Sequence, residues 1–181
     1  MLRGVALVTL LLGVARTNII HNGDFDSGDV TPWRCVGCQC ESSHKYLGIN
    51  DSVSRLPRGI IIFLLVVTER SATWAGPRQS LESDIFVSEP FLYQLNFSLQ
   101  LDTSDLVTAG VILHVVKGEE EKFMSLFNEE VQSSDWTDWS IGVNINNMVK
   151  GADFIELYFE AKPETVNFSL DNVRMEKWTS G

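Results

Sequence analysis

The sequence predicts an all-β fold, an antiparallel β-sandwich of jelly-roll type, and three observations predict it. Phe91–Leu101 and Val166–Val173 alternate apolar and polar residues with period two, as strands with one buried face do. Further short apolar runs recur at spacings of roughly 8–12 residues between turn-forming stretches. Beyond the first fifteen residues, no window of helical length keeps a 3.6-residue apolar stripe.

Taken in chain order, residues 1–15 read as a secretory signal peptide. Arg3 supplies the positive start, Val5–Val14 is largely apolar, and Gly13-Val14-Ala15 offers small residues for cleavage. A membrane-spanning helix needs about 20 apolar residues, more than this segment holds. Residues 16–181 then read as one domain, with no repeat and no linker composition.

All three cysteines fall in Cys35-Val36-Gly37-Cys38-Gln39-Cys40. In an oxidising compartment this spacing reads as a local disulfide, with Cys35–Cys38 and Cys35–Cys40 both open. Zinc on the three cysteines plus His44 is the alternative. Ile60–Val67 is eight apolar residues in a row, the pattern of a strand buried on both faces. Gly110–Val116 reads as a strand leading into a hairpin at Lys117–Lys122, Phe154–Glu160 as another, and Ser140–Val143 as a short one. Trp136 and Trp139 precede that short strand and read as packing residues.

Composition narrows the function. The 181-residue chain is 44% hydrophobic and 21% charged, which is ordinary for a globular protein. Its 24 Asp and Glu against 14 Lys and Arg give a net charge of −10, with no basic run. Nucleic acid and an anionic membrane surface are therefore poor partners, and a neutral ligand suits the balance better. Asn50, Asn96 and Asn167 each open a permitted N-glycosylation triplet, consistent with a secreted, extracellular protein. His21, His44 and His114 are scattered, and no Gly-x-Ser-x-Gly or metalloprotease motif occurs. A glycosidase barrel of about 250 residues would not fit.

Three ordered blocks carry a resemblance. The first is Asn18-Ile19-Ile20-His21-Asn22-Gly23-Asp24-Phe25-Asp26, followed by Trp33. The second is Arg70-Ser71-Ala72-Thr73-Trp74-Ala75-Gly76-Pro77-Arg78-Gln79. The third is Glu156-Leu157-Tyr158-Phe159-Glu160 with Phe168-Ser169-Leu170-Asp171-Asn172-Val173. Together they resemble the family-22 carbohydrate-binding modules found beside xylan-degrading enzymes. The resemblance implies a galactose-binding-like jelly roll that binds xylan or mixed-linkage β-glucan without catalysis, either free-standing or joined to a glycoside hydrolase catalytic domain as partner in a longer gene product.

Residue by residue, the resemblance makes Trp74 a stacking tryptophan, Tyr158 and Glu160 binding residues, and Arg34 a ligand-binding arginine. Phe123 stands where a second stacking tyrosine is expected. A structural calcium is implied at Asp24, Asp26 and Asp171; hard cations want such oxygen ligands. The residues themselves agree, since a sugar needs an aromatic face for its C–H groups and polar side chains for its hydroxyls. Tyr158 and Glu160, two apart on one strand, share a face. The competing reading is a secreted jelly-roll protein-interaction domain without a sugar ligand. A buried Trp74 would favour that reading, and an open one the sugar.

Overall fold

The computed structural model describes residues 18–47, 60–86, 92–132, 134–145 and 147–178. The signal segment 1–15, the Asn50 triplet, Phe91 and Gly181 lie outside them. The described strands are β1 Arg34–Val36, β2 Gln39–Leu47, β3 Ile60–Thr68, β4 Gly76–Ser80, β5 Leu92–Leu101, β6 Val107–Lys117, β7 Glu120–Val131, β8 Thr137–Asn144, β9 Phe154–Lys162 and β10 Phe168–Lys177. They form two antiparallel five-stranded sheets, in the orders β1-β4-β9-β6-β7 and β2-β3-β10-β5-β8. The expected β-sandwich is the fold.

Period-two patterning builds the core. Leu95, Phe97, Leu99 and Leu101 of β5 and Phe168, Leu170 and Met175 of β10 face inward from one sheet. Val107, Ala109, Val111, Leu113 and Val115 of β6 meet them from the other, with Ile155, Leu157, Phe159 and Ala161 of β9. Burying each such aliphatic side chain stabilises the fold by about 1.5–3 kcal/mol before entropy is counted. Trp139 packs as expected, its ring 4.7 Å from that of Phe127 and 6.5 Å from that of Phe97.

The apolar run from Ile60 is β3, an interior strand between β2 and β10. Leu65 and Val67 enter the core, and Leu64 is buried on the opposite side. The hairpin expected after β6 turns at Gly118, whose φ of 59° glycine adopts without strain. One extra residue in β7 shifts the register between Val111↔Phe127 and Ile112↔Ser125, a bulge that resets which β7 side chains face out.

The first described segment meets β10. Asn18 bridges Glu176, Ile19 N donates to Met175 O at 2.9 Å, and Val173 N donates to Gly23 O at 2.8 Å. A side chain at Gly23 would put its Cβ 1.9 Å from Val173 O, so only glycine allows this approach.

Candidate functional site

The outer face of the first sheet collects the predicted residues. Cross-strand register aligns Arg34 with Arg78, Arg78 with Tyr158, Tyr158 with Ile112, and Ile112 with Ser125. The neighbouring row runs Ser80, Glu156, His114 and Phe123. Side chains paired in this way share one face of a sheet.

Trp74 stands at one side of this face, in the turn before β4, and is 48% exposed. Buried Arg70 holds the turn. Its Nε donates to Ala75 O at 2.8 Å and its Nη2 to Thr73 O at 2.7 Å, the two residues flanking the indole. The same guanidinium donates to Ala161 O at 2.6 Å and Val166 O at 3.0 Å, tying the turn to the β9–β10 loop. Burial lowers the Arg70 pKa, yet arginine stays charged across the physiological range. A second support is Gly37, whose carbonyl accepts from both the backbone N–H and Oγ of Ser71 at 2.8 Å. With φ at 68° and a hypothetical Cβ only 2.8 Å from Ser71 Oγ, this position needs glycine. The stacking face is therefore rigidly mounted.

Beside the indole, Glu156 is paired twice. Arg34 Nη2 donates to its Oε1, and Arg78 Nη1 to its Oε2 at 3.2 Å. The Glu156 side chain is 3% exposed, whereas that of Arg34 is 58% exposed. The Arg78 guanidinium lies 4.5 Å over the Tyr158 ring and 5.7 Å from the Trp74 ring, cation–π distances for both. Tyr158 is 6% exposed beneath this cover and outside the inter-sheet core, so it serves as the floor of the face. Burial first, then the Glu160 charge, raises its phenol pKa. Glu160 lies across Gly110, where a Cβ would meet its Cγ at 2.9 Å, and its carboxylate is 3.5 Å from Lys162 Nζ.

Phe123 marks the other side of the face and is 60% exposed. Its ring stacks on His114 at 4.3 Å with 5° between planes, and His114 meets the edge of Phe154 at 5.5 Å. A 2.8 Å hydrogen bond joins His114 Nε2 and Glu121 Oε1. Three strand spacings, roughly 14 Å, separate β4 from β7, so the two open aromatics stand on opposite sides of the face.

The remaining predicted residues lie elsewhere. Cys35 and Cys40 form the disulfide, which resolves the two open pairings; Cys38 keeps a free thiol whose pKa burial raises. The three sulfurs lie within 4.8 Å of one another, but His44 is not in that group, so the structure favours a disulfide over a zinc set. Asp171 is buried, with Asp24 and Asp26 exposed nearby. Desolvation, opposed by the Asn172 amide and aided by the Asp26 and Asp24 charges, pushes the Asp171 pKa up to about 6. The three carboxylates do not all lie within 4.8 Å of one another. Their oxygen ligands are of the kind a hard cation takes, although Arg174 and the Asn172 amides already offset part of the Asp171 charge.

Asn96 sits mid-strand on the outer face of the second sheet, and the Asn167 side-chain amide donates to Asp102 Oδ2 at 2.8 Å. A polar cavity of about 520 Å³ lies on that sheet, lined in part by Gln94, Asn96, Ser98, Asp138, Ser140 and Arg174. Of its aromatics, Phe97 is buried and Trp139 is only partly exposed, packed against the core. The first sheet is the better candidate.

Five predicted residues thus gather on one face: Trp74, Phe123, Tyr158, Glu160 and Arg34. Sequence reasoning missed Arg78, Glu156 and His114. The signal for two of them lies within the motifs themselves: Glu156 shares strand parity with Tyr158 and Glu160, and Arg78 follows Trp74 by four residues. Chemically, the face offers two open aromatics, with paired ions and hydrogen-bonding groups between them. That arrangement can hold a chain of pyranose rings.

No protein-family model and no curated protein matches the sequence. Solved structures do match in fold. The CBM22-1 xylan-binding domain from Paenibacillus barcinonensis Xyn10C superposes with a TM-score of 0.65 and 16% identity, over 91% of this chain and 98% of that one. The C-terminal family 22 carbohydrate binding module of Clostridium thermocellum Xyn10B gives 0.63 and 18%, over 86% and 91%. The CBM22-1–GH10 modules of the Clostridium thermocellum xylanase 10B, complexed with xylohexaose, give 0.66 and 16%, over 90% of this chain and 29% of that one.

Proposed function

We propose that this chain, whose fold is that of the family-22 carbohydrate-binding modules, binds a xylan or mixed-linkage β-glucan chain without cutting it. The observation that carries the reading is the open, rigidly mounted Trp74 indole facing the same side as exposed Phe123, Arg34 and the Glu160 carboxylate. An aromatic ring held in place before the ligand arrives stacks on the apolar face of a sugar at little entropic cost. That xylan is the preferred polymer is supported by the xylan-binding function named for the similar domains.

Catalysis finds no support on this face. Glu156 is buried between two arginines and Glu160 is beside Lys162, so neither is poised as an acid or a nucleophile. Four residues apart on one extended strand, their backbones stand about 13 Å apart, beyond the separation a glycosidase pair uses. Secretion, glycosylation at Asn96 or Asn167, and attachment to a glycoside hydrolase belong to the same proposal. So does a structural calcium, which Asp24, Asp26 and Asp171 would hold; when bound it would neutralise their mutual repulsion.

The test is retention on insoluble xylan. Trp74→Ala removes the stacking surface from an exposed position and should abolish retention while leaving the circular dichroism spectrum and melting temperature in place. Unchanged retention of that variant would overturn the sugar reading.

A further inference from the structure

We infer that the Trp74 side of the face takes an anionic sugar unit, a uronic-acid branch carried on the polysaccharide, through the guanidinium groups of Arg34 and Arg78. The inference rests on the sugar-binding reading and deepens it.

Charge is the first argument. Arg34 and Arg78 share the single buried carboxylate of Glu156, and Glu160 faces Lys162, so this side of the site carries one positive charge in excess. On a chain of net charge −10, that local excess is unusual. The long-range repulsion from the rest of the molecule is screened beyond about 8 Å at physiological salt, whereas contacts at the guanidinium are screened much less. The combination suits a single carboxylate on an otherwise neutral polymer and disfavours a densely charged polyanion.

Unused hydrogen-bonding capacity is the second. A guanidinium carries five N–H donors. Arg34 spends one on Glu156 and leaves most of its side chain in solvent. Arg78 Nε is buried and has no partner, an orphan donor at the edge of the stacking indole. A donor buried unsatisfied is costly, so the free protein forgoes stability at this position.

Geometry is the third. Arg78 is braced between the Tyr158 and Trp74 rings, and Arg34 is anchored by Glu156, so neither head group must be ordered when a ligand arrives. A sugar ring stacked on Trp74 would bring a branch substituent against these forks, and a planar carboxylate matches the fork that guanidinium presents.

The experiment is calorimetric titration of the whole chain with three ligands: undecorated xylohexaose, a xylo-oligosaccharide bearing one glucuronic acid branch, and the same branched oligosaccharide with its carboxyl reduced to the alcohol. The acid form should bind about three- to tenfold tighter than its reduced twin, the range of one charge-assisted contact at a partly open site. That ratio should collapse toward one at about 1 M NaCl, where the screening length is ~3 Å, and in Arg34→Gln. Equal affinity of the acid and reduced forms overturns this inference and leaves the xylan reading standing. Failure of all three ligands to bind removes both. Should Arg34→Gln fold poorly, the acid-against-alcohol comparison on the unaltered chain decides by itself.

Discussion

Replacing Arg70 with lysine tests whether the mounting of Trp74 is as stiff as the geometry says. Arg70 reaches six carbonyl oxygens, those of Ala72, Thr73, Ala75, Ala161, Pro163 and Val166. Ala72 O and Pro163 O also accept turn hydrogen bonds, from Ala75 N and Val166 N, and their contacts to Arg70 are the two longest. Four bonds of 2.6–3.0 Å therefore carry the clamp. Lysine keeps the charge, but its three donors radiate from one point and cannot reach both the Trp74 turn and the β9–β10 loop. At about 1.5–3 kcal/mol for each hydrogen bond to a charged group, and with partial replacement by the ammonium, Arg70→Lys should cost about 2–3 kcal/mol. For a domain of this size that is a fall in melting temperature of roughly 4–12 °C. Urea unfolding should show a lower midpoint at unchanged slope, the signature of lost stability rather than a changed unfolded state. The folded variant should also retain less on xylan, because Thr73 and Ala75 no longer fix the indole. A loss below about 0.5 kcal/mol, the range of ordinary surface changes, would refute the clamp.

Three further outcomes follow from the same structure. Gly37→Ala forces a side chain into a left-handed backbone and against Ser71 Oγ, so it should destabilise by about 1–2 kcal/mol and weaken xylan retention; retention equal to the unaltered chain would contradict the buttress. Non-reducing peptide mapping should link Cys35 to Cys40, and Cys40→Ser should cost about 2 kcal/mol by the loop-entropy relation for so short a loop; a peptide joined through Cys35 and Cys38 would contradict the pairing. Calcium should raise the melting temperature above that measured in chelator, and Asp171→Asn should abolish the increment by removing the buried ligand; an equal increment in both proteins would exclude a calcium site there.

Some of this molecule is legible from residue order alone, and the reason differs by element. Strand β5 alternates so regularly that the period-two rule by itself names its inward face, and Leu95, Phe97, Leu99 and Leu101 do line the core. In β10 the rule holds through Leu170, after which an irregularity between Asp171 and Arg174 moves the inward face to Val173 and Met175. Strand β7 is not legible in this way. Its exposed acidic residues lie at a sheet edge, and the bulge at its middle breaks the alternation that would have revealed it. The continuous apolar run of β3 reads as a strand buried on both faces; of its described side chains Leu65 and Val67 enter the core, Leu64 is buried on the other side and Val66 is partly exposed.

Within the candidate site, Trp74 and Phe123 can be found because an aromatic in polar surroundings is conspicuous, and both are open. Tyr158, expected to share the binding surface, instead lies under Arg78. Nothing local announces that cover. Arg34 and Glu156 are 122 positions apart in sequence, and Arg78 and Glu156 are 78 apart. Only the β1-β4-β9 pairing brings the three together, and register between distant strands is set by the whole sheet rather than by nearby residues.

The contact between the segment from Asn18 and β10 also bears on when the domain can assemble during synthesis. Met175 N donates to Asn18 Oδ1 at 2.9 Å across 157 positions, so this tie waits for β10, whereas His21 can pair with Gln79 as soon as β4 is made. At ribosomal speeds of about 5–20 residues per second, that tie forms roughly 8–30 seconds after Asn18 is made. Until then β3 and β5 lack the neighbour that lies between them in the finished sheet, and pairing over so long a separation is intrinsically slow.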